Sequence, residues 1–397
     1  MAYIEDRWFD RSGAKTARHG TGKRWQLRWR EPDGRERKLS YARKTDADDR
    51  RKALESDVLH GRYIDPKAGS ITFDAYAAEW LQYRNSDPST IEHTDRRLRL
   101  HVTGTALGKT PMGKIQPRMV QAWLSMMTVG DSTKRTVFDH VSQILSSAVE
   151  DGIITSNPAK AKSVTPPKRV RAEIVPWTDT QVAAMLHNIA DRYRPLVMLG
   201  AWLGLRFGES AGLSPDDIDW LRGTITVTIR RQLKIVGNQR VFGPPKGGDG
   251  KLRTLPLSAA LRDELAAYLK MYPAHDVTLP WKQPGGTPVT VPLLMTNQRK
   301  QPLHSASVTA GVWYPALEKS GISRGRTNGT HALRHYYASS ALADGGDPVA
   351  LATYLGHADP SYTFNVYGHF MPSAELRFTS AIDHAITRVQ DEQRRLA

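Results

Sequence analysis

The chain contains no cysteine, so it has no disulfides, thiolate metal sites or cysteine nucleophiles. This absence fits a reducing compartment. Long apolar runs are missing as well, since no stretch approaches the roughly 18 uninterrupted apolar residues that a membrane span requires. The first residues, MAYIEDRWFDR, lack the apolar run of a secretory signal peptide. We therefore expect a soluble, cytoplasmic protein with no membrane partner.

Acidic residues are in the minority, with 40 Asp and Glu against 56 Lys and Arg, which gives a net charge of +16. The excess is spread along all 397 residues, enough chain for two or three domains. A basic balance of this size favours a polyanionic partner, and nucleic acid comes ahead of a membrane surface. The alternative is a protein that is basic without a polyanionic ligand.

Residues 1–65 are predicted to form a small basic module, with thirteen Lys or Arg against six Asp or Glu in residues 1–44. The sequence RWQLRWR at 24–30 alternates strictly, so one face of a strand would pack and the other would meet solvent or phosphate. A turn at 31–34 and a second strand at 35–41 follow, then a helix capped by Thr45 or Asp46. The arginines on the outer face are candidate DNA contacts: Arg24, Arg28 and Arg30. An ordinary small β domain with a solvated basic face is the alternative.

Four amphipathic helices are predicted between residues 71 and 155, which indicates a small helical bundle. Thr72 is a plausible N-cap of the first helix and Pro88 opens the second. Basic side chains on the outer faces could contact a phosphate backbone, although a solvated charged face explains them equally well. They are Arg96, Arg97, Lys134 and Arg135. Residues 156–176 are rich in Pro, Lys and Arg and are interpreted as a linker.

The remainder, 177–397, is predicted to mix helices with short strands. A helix over 193–203 leads into Gly-Leu-Arg-Phe-Gly-Glu, where burying Arg206 would be costly unless it pairs with Glu209 or binds an anionic ligand. One alternating strand is predicted over 223–235, and Lys246 would lie on a Gly-rich turn before the strand resumes. Lys246 is either an exposed loop residue or a side chain that reaches a ligand. We expect irregular structure over 272–301 and a helix over 305–320.

The segment from residue 330 to 369 combines several groups with catalytic chemistry. His331 and Arg334, three residues apart on a predicted helix, can address one anionic group. His357 follows a glycine that ends the next helix, and Tyr367 lies ten residues further on. Taken singly, each histidine could equally be a core or surface residue, and Tyr367 a packing residue.

The order of these motifs resembles that of the tyrosine recombinases, and in particular the phage-type integrases. The motifs are Gly-Leu-Arg-Phe-Gly-Glu at 204–209, the turn lysine at 246, His-Ala-Leu-Arg-His at 331–335, Leu-Gly-His at 355–357 and Tyr-Gly-His at 367–369. The resemblance implies a multidomain, mainly helical fold with small sheets and a mixed α+β catalytic domain with a C-terminal tail helix. It implies no metal, no cofactor and no ATP.

The resemblance also implies roles. Tyr367 would attack a DNA phosphate to form a 3′-phosphotyrosyl link, and Lys246 would protonate the 5′-oxygen that leaves. Arg206 and Arg334 would hold the non-bridging oxygens. His331 is the candidate acceptor of the tyrosine proton, and His357 a further donor to the phosphate. Two side chains are expected to support the site from outside it: Glu209 and His335.

The partners that the resemblance implies are double-stranded DNA and three further copies of the chain, because strand exchange between two duplexes needs four active sites. Residues 1–65 would bind arm-type DNA sites and 71–155 the core site, which favours an integrase of a phage or integrative element. A DNA-bending host factor and a directionality factor are further expected partners. The alternatives are an Xer-like resolvase, a type IB topoisomerase-like enzyme and a non-catalytic DNA-binding regulator.

Overall fold

The computed structural model describes residues 2–30, 34, 36–59, 68–169, 174–220, 226–246, 252–357, 359–371 and 374–396. The chain divides into two compact units, Met1–Arg171 and Ala172–Ala397. No helix in the described part of the chain is long and apolar enough to cross a membrane.

The first unit opens with an antiparallel sheet in the order β1-β2-β3 and one helix. Their bounds are β1 Tyr3–Asp6, β2 Trp25–Arg30, β3 Glu36–Tyr41 and α1 Lys44–Leu59. Leu27, Trp29 and Leu54 form a small core between sheet and helix, because the alternation of β2 turns its apolar residues inward. The predicted hairpin therefore forms, with its turn at 31–33 outside the described residues, and β1 adds a strand that was not predicted.

Two details of this module correct the sequence prediction. Gln26 was expected on the open face of β2, but it is 6% exposed and donates a hydrogen bond to Ser40 of β3. A cross-strand partner satisfies its amide, so burial costs little. The helix begins at Lys44, so neither Thr45 nor Asp46 is its cap.

In the part of the first unit that the structure describes, four helices follow around a separate core. They are α2 Phe73–Gln82, α3 Pro88–His101, α4 Pro117–Met126 and α5 Asp131–Glu150. The side chain of Thr72 accepts a hydrogen bond from the amide of Ala75, as the sequence predicts for the N-cap of α2. Ala159 and Val164 are buried in the same core, so the first part of the stretch interpreted as a linker packs on the bundle instead.

The second unit mixes helices with short antiparallel strands. Its elements are α6 Asp179–Asn188, α7 Arg194–Leu203, α8 Phe207–Ala211, β4 Ile218–Asp219, β5 Thr226–Ile229, β6 Gln232–Val236, β7 Gln239–Gly243, β8 Arg253–Pro256, α9 Ala259–Met271, β9 His275–Pro280, β10 Pro288–Leu293, α10 Ser305–Val308, α11 Tyr314–Lys319, α12 His331–Ala343, α13 Pro348–Leu355, α14 Pro360–Tyr367 and α15 Ala374–Leu396. A capping box of Thr178 and Gln181 begins α6. A large hydrophobic core packs α7 and α9 against the strands.

Among the described residues, the strands of the second unit form three small sheets, ordered β4-β5-β8, β6-β7 and β9-β10. The single strand predicted over 223–235 is therefore wrong: β5 pairs with β8 and β6 with β7, and Arg231 between them binds Asp217 at 2.6 Å. The irregular stretch predicted over 272–301 is also wrong, since β9 and β10 form a hairpin there. Pro288 and Pro292 both lie in β10, because a two-stranded sheet offers edges that tolerate proline.

The helix predicted over 305–320 is interrupted. A π-helical turn at Thr309–Trp313 lies between α10 and α11. It buries Trp313 fully, and its indole donates a hydrogen bond to the carbonyl of Asn328 at 2.8 Å. The wider turn thus aims a large aromatic into the core, which a spacing pattern alone does not reveal.

Candidate active site

The corner between α7 and α8 positions Arg206. Gly204 ends α7 with φ of 63°, and a Cβ at this position would lie 2.5 Å from Cδ1 of Tyr337, so only glycine fits. Arg206 directly precedes α8. Its backbone amide donates to Oε2 of Glu209 at 2.9 Å and its Nη1 to Oε1 at 3.0 Å. The pairing considered from the sequence therefore exists, yet the side chain remains 20% exposed and can still meet an anion.

Glu209 is fully buried and has a second arginine as partner. Arg253 binds both of its carboxylate oxygens, at 3.0 and 2.6 Å. Burial opposes ionisation of the carboxyl, but Arg253 and Arg206 together outweigh it and hold the pKa of Glu209 below its ordinary value. The carboxylate therefore stays charged and fixes the side chain of Arg206.

Arg253 also belongs to the site, although it was not predicted from the sequence. It is 8% exposed at the start of β8, and its Nε donates to the carbonyl of Tyr354 at 2.8 Å, so it joins the strand to α13. A signal was present: Arg253, Leu255 and Leu257 alternate, and both leucines are core residues. A strand that buries those leucines also turns the arginine inward.

Arg334 lies on α12 and is 1% exposed. Its Nη1 donates to the carbonyl of Gly204 at 2.7 Å and its Nη2 to that of Leu355 at 2.5 Å. The guanidinium thus ties together the ends of α7 and α13. Desolvation, followed by the charge of Arg206, lowers the pKa of Arg334 to about 9, which still leaves it protonated at neutral pH.

His357 follows Gly356, which ends α13 in the left-handed region with φ of 65°. Its Nε2 lies 3.1 Å from Nη2 of Arg334 and its Nδ1 2.7 Å from Oγ1 of Thr363. Because a guanidinium only donates, Nε2 is the acceptor and Nδ1 carries the proton. Desolvation and then Arg334 lower the pKa of His357 to about 4, so the ring is neutral.

His331 is the first residue of α12, at the exposed rim of the site. Its side chain reaches solvent, but the surrounding cluster still desolvates the ring. That desolvation, with the neighbouring His335 and Arg334, lowers the pKa of His331 to about 4. The rings of His331 and His335 meet edge to face, with centroids 4.9 Å apart.

Tyr367 is the last residue of α14 and is 2% exposed, packed beside Ala338, Leu342 and Leu355. Its hydroxyl lies 2.6 Å from Nδ1 of His335. Desolvation raises the pKa of Tyr367 to about 12, despite the opposing charge of Arg334. The hydroxyl is therefore protonated at neutral pH, and attack through this oxygen requires an acceptor for its proton.

Lys246 is exposed just after β7, and the next residues, 247–251, lie outside the described part of the chain. Its charge is among those that lower the pKa values of His331 and His357. The turn after β7 thus brings Lys246 close enough to the cluster to act on it electrostatically.

Some of the candidate DNA-contacting side chains of the first unit form ion pairs with carboxylates. Arg24 binds Asp6 at 2.8 Å and lies over the ring of Trp25. Arg28 binds Glu5 at 2.8 Å, and Arg135 binds Asp139 at 3.0 Å. The others are exposed or half-buried: Arg30, Arg96, Arg97 and Lys134.

In the described residues, no group of three or more His, Asp or Glu side chains is placed to hold a metal ion. The cluster is instead cationic, with Arg206, Arg253 and Arg334 close to neutral histidines and one tyrosine hydroxyl. Such a set suits a phosphodiester, whose charge two arginines can neutralise by hydrogen bonds.

Comparison with known families agrees with this chemistry. The model of the phage integrase family matches residues 177–373, a range that holds every member of the cluster. The chain belongs to the phage integrase family. Its family domain coincides with most of the second unit.

Known integrases resemble the chain over most of its length. It is 27% identical over 343 residues to a putative prophage phiRv2 integrase of Mycobacterium tuberculosis, covering 84% of this chain and 86% of that protein. The solved structure of the Tn1549 transposon integrase with a circular intermediate DNA matches with a TM-score of 0.64 at 18% identity, over 80% of this chain and all of that one. A lambda integrase tetramer bound to a Holliday junction matches with a TM-score of 0.54 at 15% identity, over 87% and 92%. The chain therefore has an integrase fold.

Proposed function

We propose that this protein is a site-specific DNA recombinase of the integrase type that integrates and excises a mobile element. It would cut and rejoin DNA through a 3′-phosphotyrosyl link to Tyr367. The observation that carries the proposal is the position of the Tyr367 hydroxyl, 2.6 Å from a histidine within a cluster that also contains Arg334. Double-stranded DNA is its partner.

The arrangement of the cluster supports a division of roles. Arg206 and Arg334 would bind the non-bridging oxygens of the scissile phosphate, where negative charge develops during transfer. Lys246 would protonate the departing 5′-oxygen, and its exposed turn lets it approach the DNA. His357 was expected to donate to the phosphate, but its Nε2 accepts from Arg334 and its Nδ1 proton faces Thr363, so it would instead hold the Arg334 guanidinium in place beside the phosphate.

The phosphotyrosyl bond would retain the energy of the broken phosphodiester, so the 5′-hydroxyl of a partner duplex could reverse the step without ATP. Exchange between two duplexes would proceed through a Holliday junction in a tetramer, the assembly seen for lambda integrase. The tail helix α15 supports this assembly, because Ile382, Ile386 and Val389 are 50–60% exposed and share one helical face.

The basic first unit would supply further DNA contacts. We assign core-site binding to 71–155 and arm-site binding to 1–65, whose first 44 residues carry thirteen Lys or Arg against six Asp or Glu. An arm-binding module contacts distant DNA, so a DNA-bending host factor and a directionality factor are proposed as additional partners.

The central test is covalent trapping on a nicked suicide substrate that carries the core site, with the adduct detected on a denaturing gel. We expect wild type to form the adduct and Tyr367→Phe to form none. Tyr362→Phe is the matched control, because this tyrosine lies on the same helix with 53% exposure. An adduct with Tyr367→Phe, or its loss with Tyr362→Phe, would show that the nucleophile is misassigned. Relaxation of any supercoiled plasmid without paired sites would instead favour a type IB topoisomerase-like enzyme.

The tail helix gives a second test. Ile386→Glu places a charge on the exposed apolar face of α15, so we expect tetramers on DNA to dissociate and strand exchange to fail while adduct formation continues. His384→Glu, on the opposite face of the same helix, is the control. Sedimentation of the DNA complex measures the assembly, and an intact tetramer with Ile386→Glu would contradict the assignment.

A further inference from the structure

The hydrogen bond of the Tyr367 hydroxyl runs to His335 and not to His331, the acceptor expected from the sequence. The distance from Oη to Nδ1 is 2.6 Å, and the two rings are 5.8 Å apart. Proton transfer over a bond of this length needs no rearrangement of the protein. His331 instead reaches the solvent at the rim of the site.

The packing of α12 explains why His335 is the partner. His335, Ala338 and Leu342 are spaced three and four residues apart, so they form one stripe along the helix. Ala338 and Leu342 pack in the same core as Tyr367, which directs His335 toward the hydroxyl. His331 lies one turn earlier on this stripe, beyond the end of that core.

The ionisation of both groups fits a transfer from tyrosine to histidine. Desolvation and the charge of Arg334 lower the pKa of His335, so at neutral pH the ring is neutral and can accept at Nδ1 with its own proton on Nε2. Tyr367, with its raised pKa, holds its proton until attack begins. A bound phosphate would bring negative charge to the cluster and favour the imidazolium that forms.

We propose that His335 is a catalytic residue that takes the proton of Tyr367 during attack on the phosphate, an inference that rests on the proposed function. As the bond from Oη to phosphorus forms, the hydroxyl proton moves to Nδ1 of His335. The bond from phosphorus to the 5′-oxygen breaks, and that oxygen takes a proton from Lys246. In religation the 5′-hydroxyl returns its proton to Lys246, and the His335 imidazolium returns the other to Tyr367.

The test measures single-turnover adduct formation on the suicide substrate for wild type, His335→Gln and His331→Gln, each with tyrosine or a fluorotyrosine at position 367. A fluorinated phenol is more acidic and depends less on a base. We expect His335→Gln to be slower by about 10²- to 10⁴-fold, and fluorotyrosine to restore much of that loss. His331→Gln is the control, because it replaces the ring next to His335. Fluorotyrosine should not restore its rate of adduct formation to a comparable extent. Recovery by fluorotyrosine also shows that the His335→Gln protein is folded.

The pH profile adds an independent readout. Wild type should lose activity as acid protonates His335, and His335→Gln should lack that limb. The proposal fails if His335→Gln cleaves at the wild-type rate. It fails as well if fluorotyrosine leaves the slow cleavage of both His335→Gln and His335→Asn unchanged. It also fails if fluorotyrosine rescues His331→Gln instead. An adduct formed by Tyr367→Phe would overturn the proposed function itself, so the two failures are distinguishable.

Discussion

Glu209 is a buried carboxylate whose charge is held by Arg206 and Arg253. Removing one partner from a buried ion pair leaves an uncompensated charge and costs about 3–5 kcal/mol. Arg253 is the more important partner, because it binds both carboxylate oxygens and also the carbonyl of Tyr354. Arg253, which does not face the proposed DNA phosphate, therefore maintains the geometry of Arg206, which does.

We predict that Arg253→Ala destabilises the second unit by about 3–5 kcal/mol and slows adduct formation through misplacement of Arg206. Urea unfolding and the suicide-substrate assay measure the two effects. Arg324→Ala is the matched control, because Arg324 also pairs with a glutamate at 2.8 Å but is 55% exposed. A surface pair of this kind contributes about 0–1 kcal/mol. Equal losses from both variants would contradict the role given to Arg253.

The same pair predicts a pH dependence. The pKa of Glu209 is lowered in the folded state, so the stabilisation is present above the ordinary carboxyl pKa and is lost as pH falls through the folded value. Arg253→Ala removes the main cause of the lowered pKa. Urea unfolding measures the free energy of unfolding of both proteins at each pH. The difference between Arg253→Ala and wild type should therefore become smaller as the pH is lowered from 7 into the acid range. A difference that stays constant with pH would mean that Glu209 is not the group involved.

At the scale of elements, two glycine corners bring the helices of the candidate site together. Gly204 ends α7 and Gly356 ends α13, and Arg334 of α12 donates to carbonyls at both ends. A left-handed residue at each corner turns the chain sharply, so Arg206 and His357 leave their helix ends toward the same cluster. The position of the site thus depends on two backbone turns as well as on side chains.

Gly204→Ala should be strongly destabilising, because the new Cβ would lie 2.5 Å from Tyr337 and 2.8 Å from Leu355. Overpacking of this kind costs about 1–3 kcal/mol, added to about 1–2 kcal/mol for the left-handed backbone. Gly285→Ala isolates the cost of the left-handed backbone, since Gly285 also has positive φ but an added Cβ would have nothing within 4 Å. Thermal unfolding compares the stability of the two variants. Similar losses of stability would show that the contact with Tyr337 is relieved at little cost in free energy.

The sequence predicted those elements whose signals are local. Thr72 marks the start of α2 by its side-chain cap, and the motif order identified the family that comparison confirmed. It could not locate the break at Arg231, because the apolar residues on either side of Arg231 keep the same alternating phase. Nor could it show that Arg253 reaches Glu209, 44 residues earlier, or that His335 bonds Tyr367, 32 residues later. Contacts at such separations are decided by packing, which leaves no periodic trace in the chain.

At the scale of the whole molecule, the separate core of Leu27, Trp29 and Leu54 makes the N-terminal module a removable part. None of these residues belongs to the core of the helical bundle, so removal of 1–65 should leave that bundle folded. Within the module, Arg24 and Arg28 have carboxylate partners. DNA binding there would depend on its remaining positive charge, and would weaken steeply with added salt.

We predict that the chain lacking 1–65 cleaves the core-site suicide substrate at the wild-type rate but integrates poorly. Cleavage would require only the second unit and the bundle, whereas integration would also require contacts to arm sites. Covalent adduct and recombinant product, measured from the same preparation, separate the two activities. Arg30→Ala in the full chain is a milder variant, since the exposed Arg30 lies at the end of β2. Integration by the truncated protein at the wild-type level would exclude arm binding by this module.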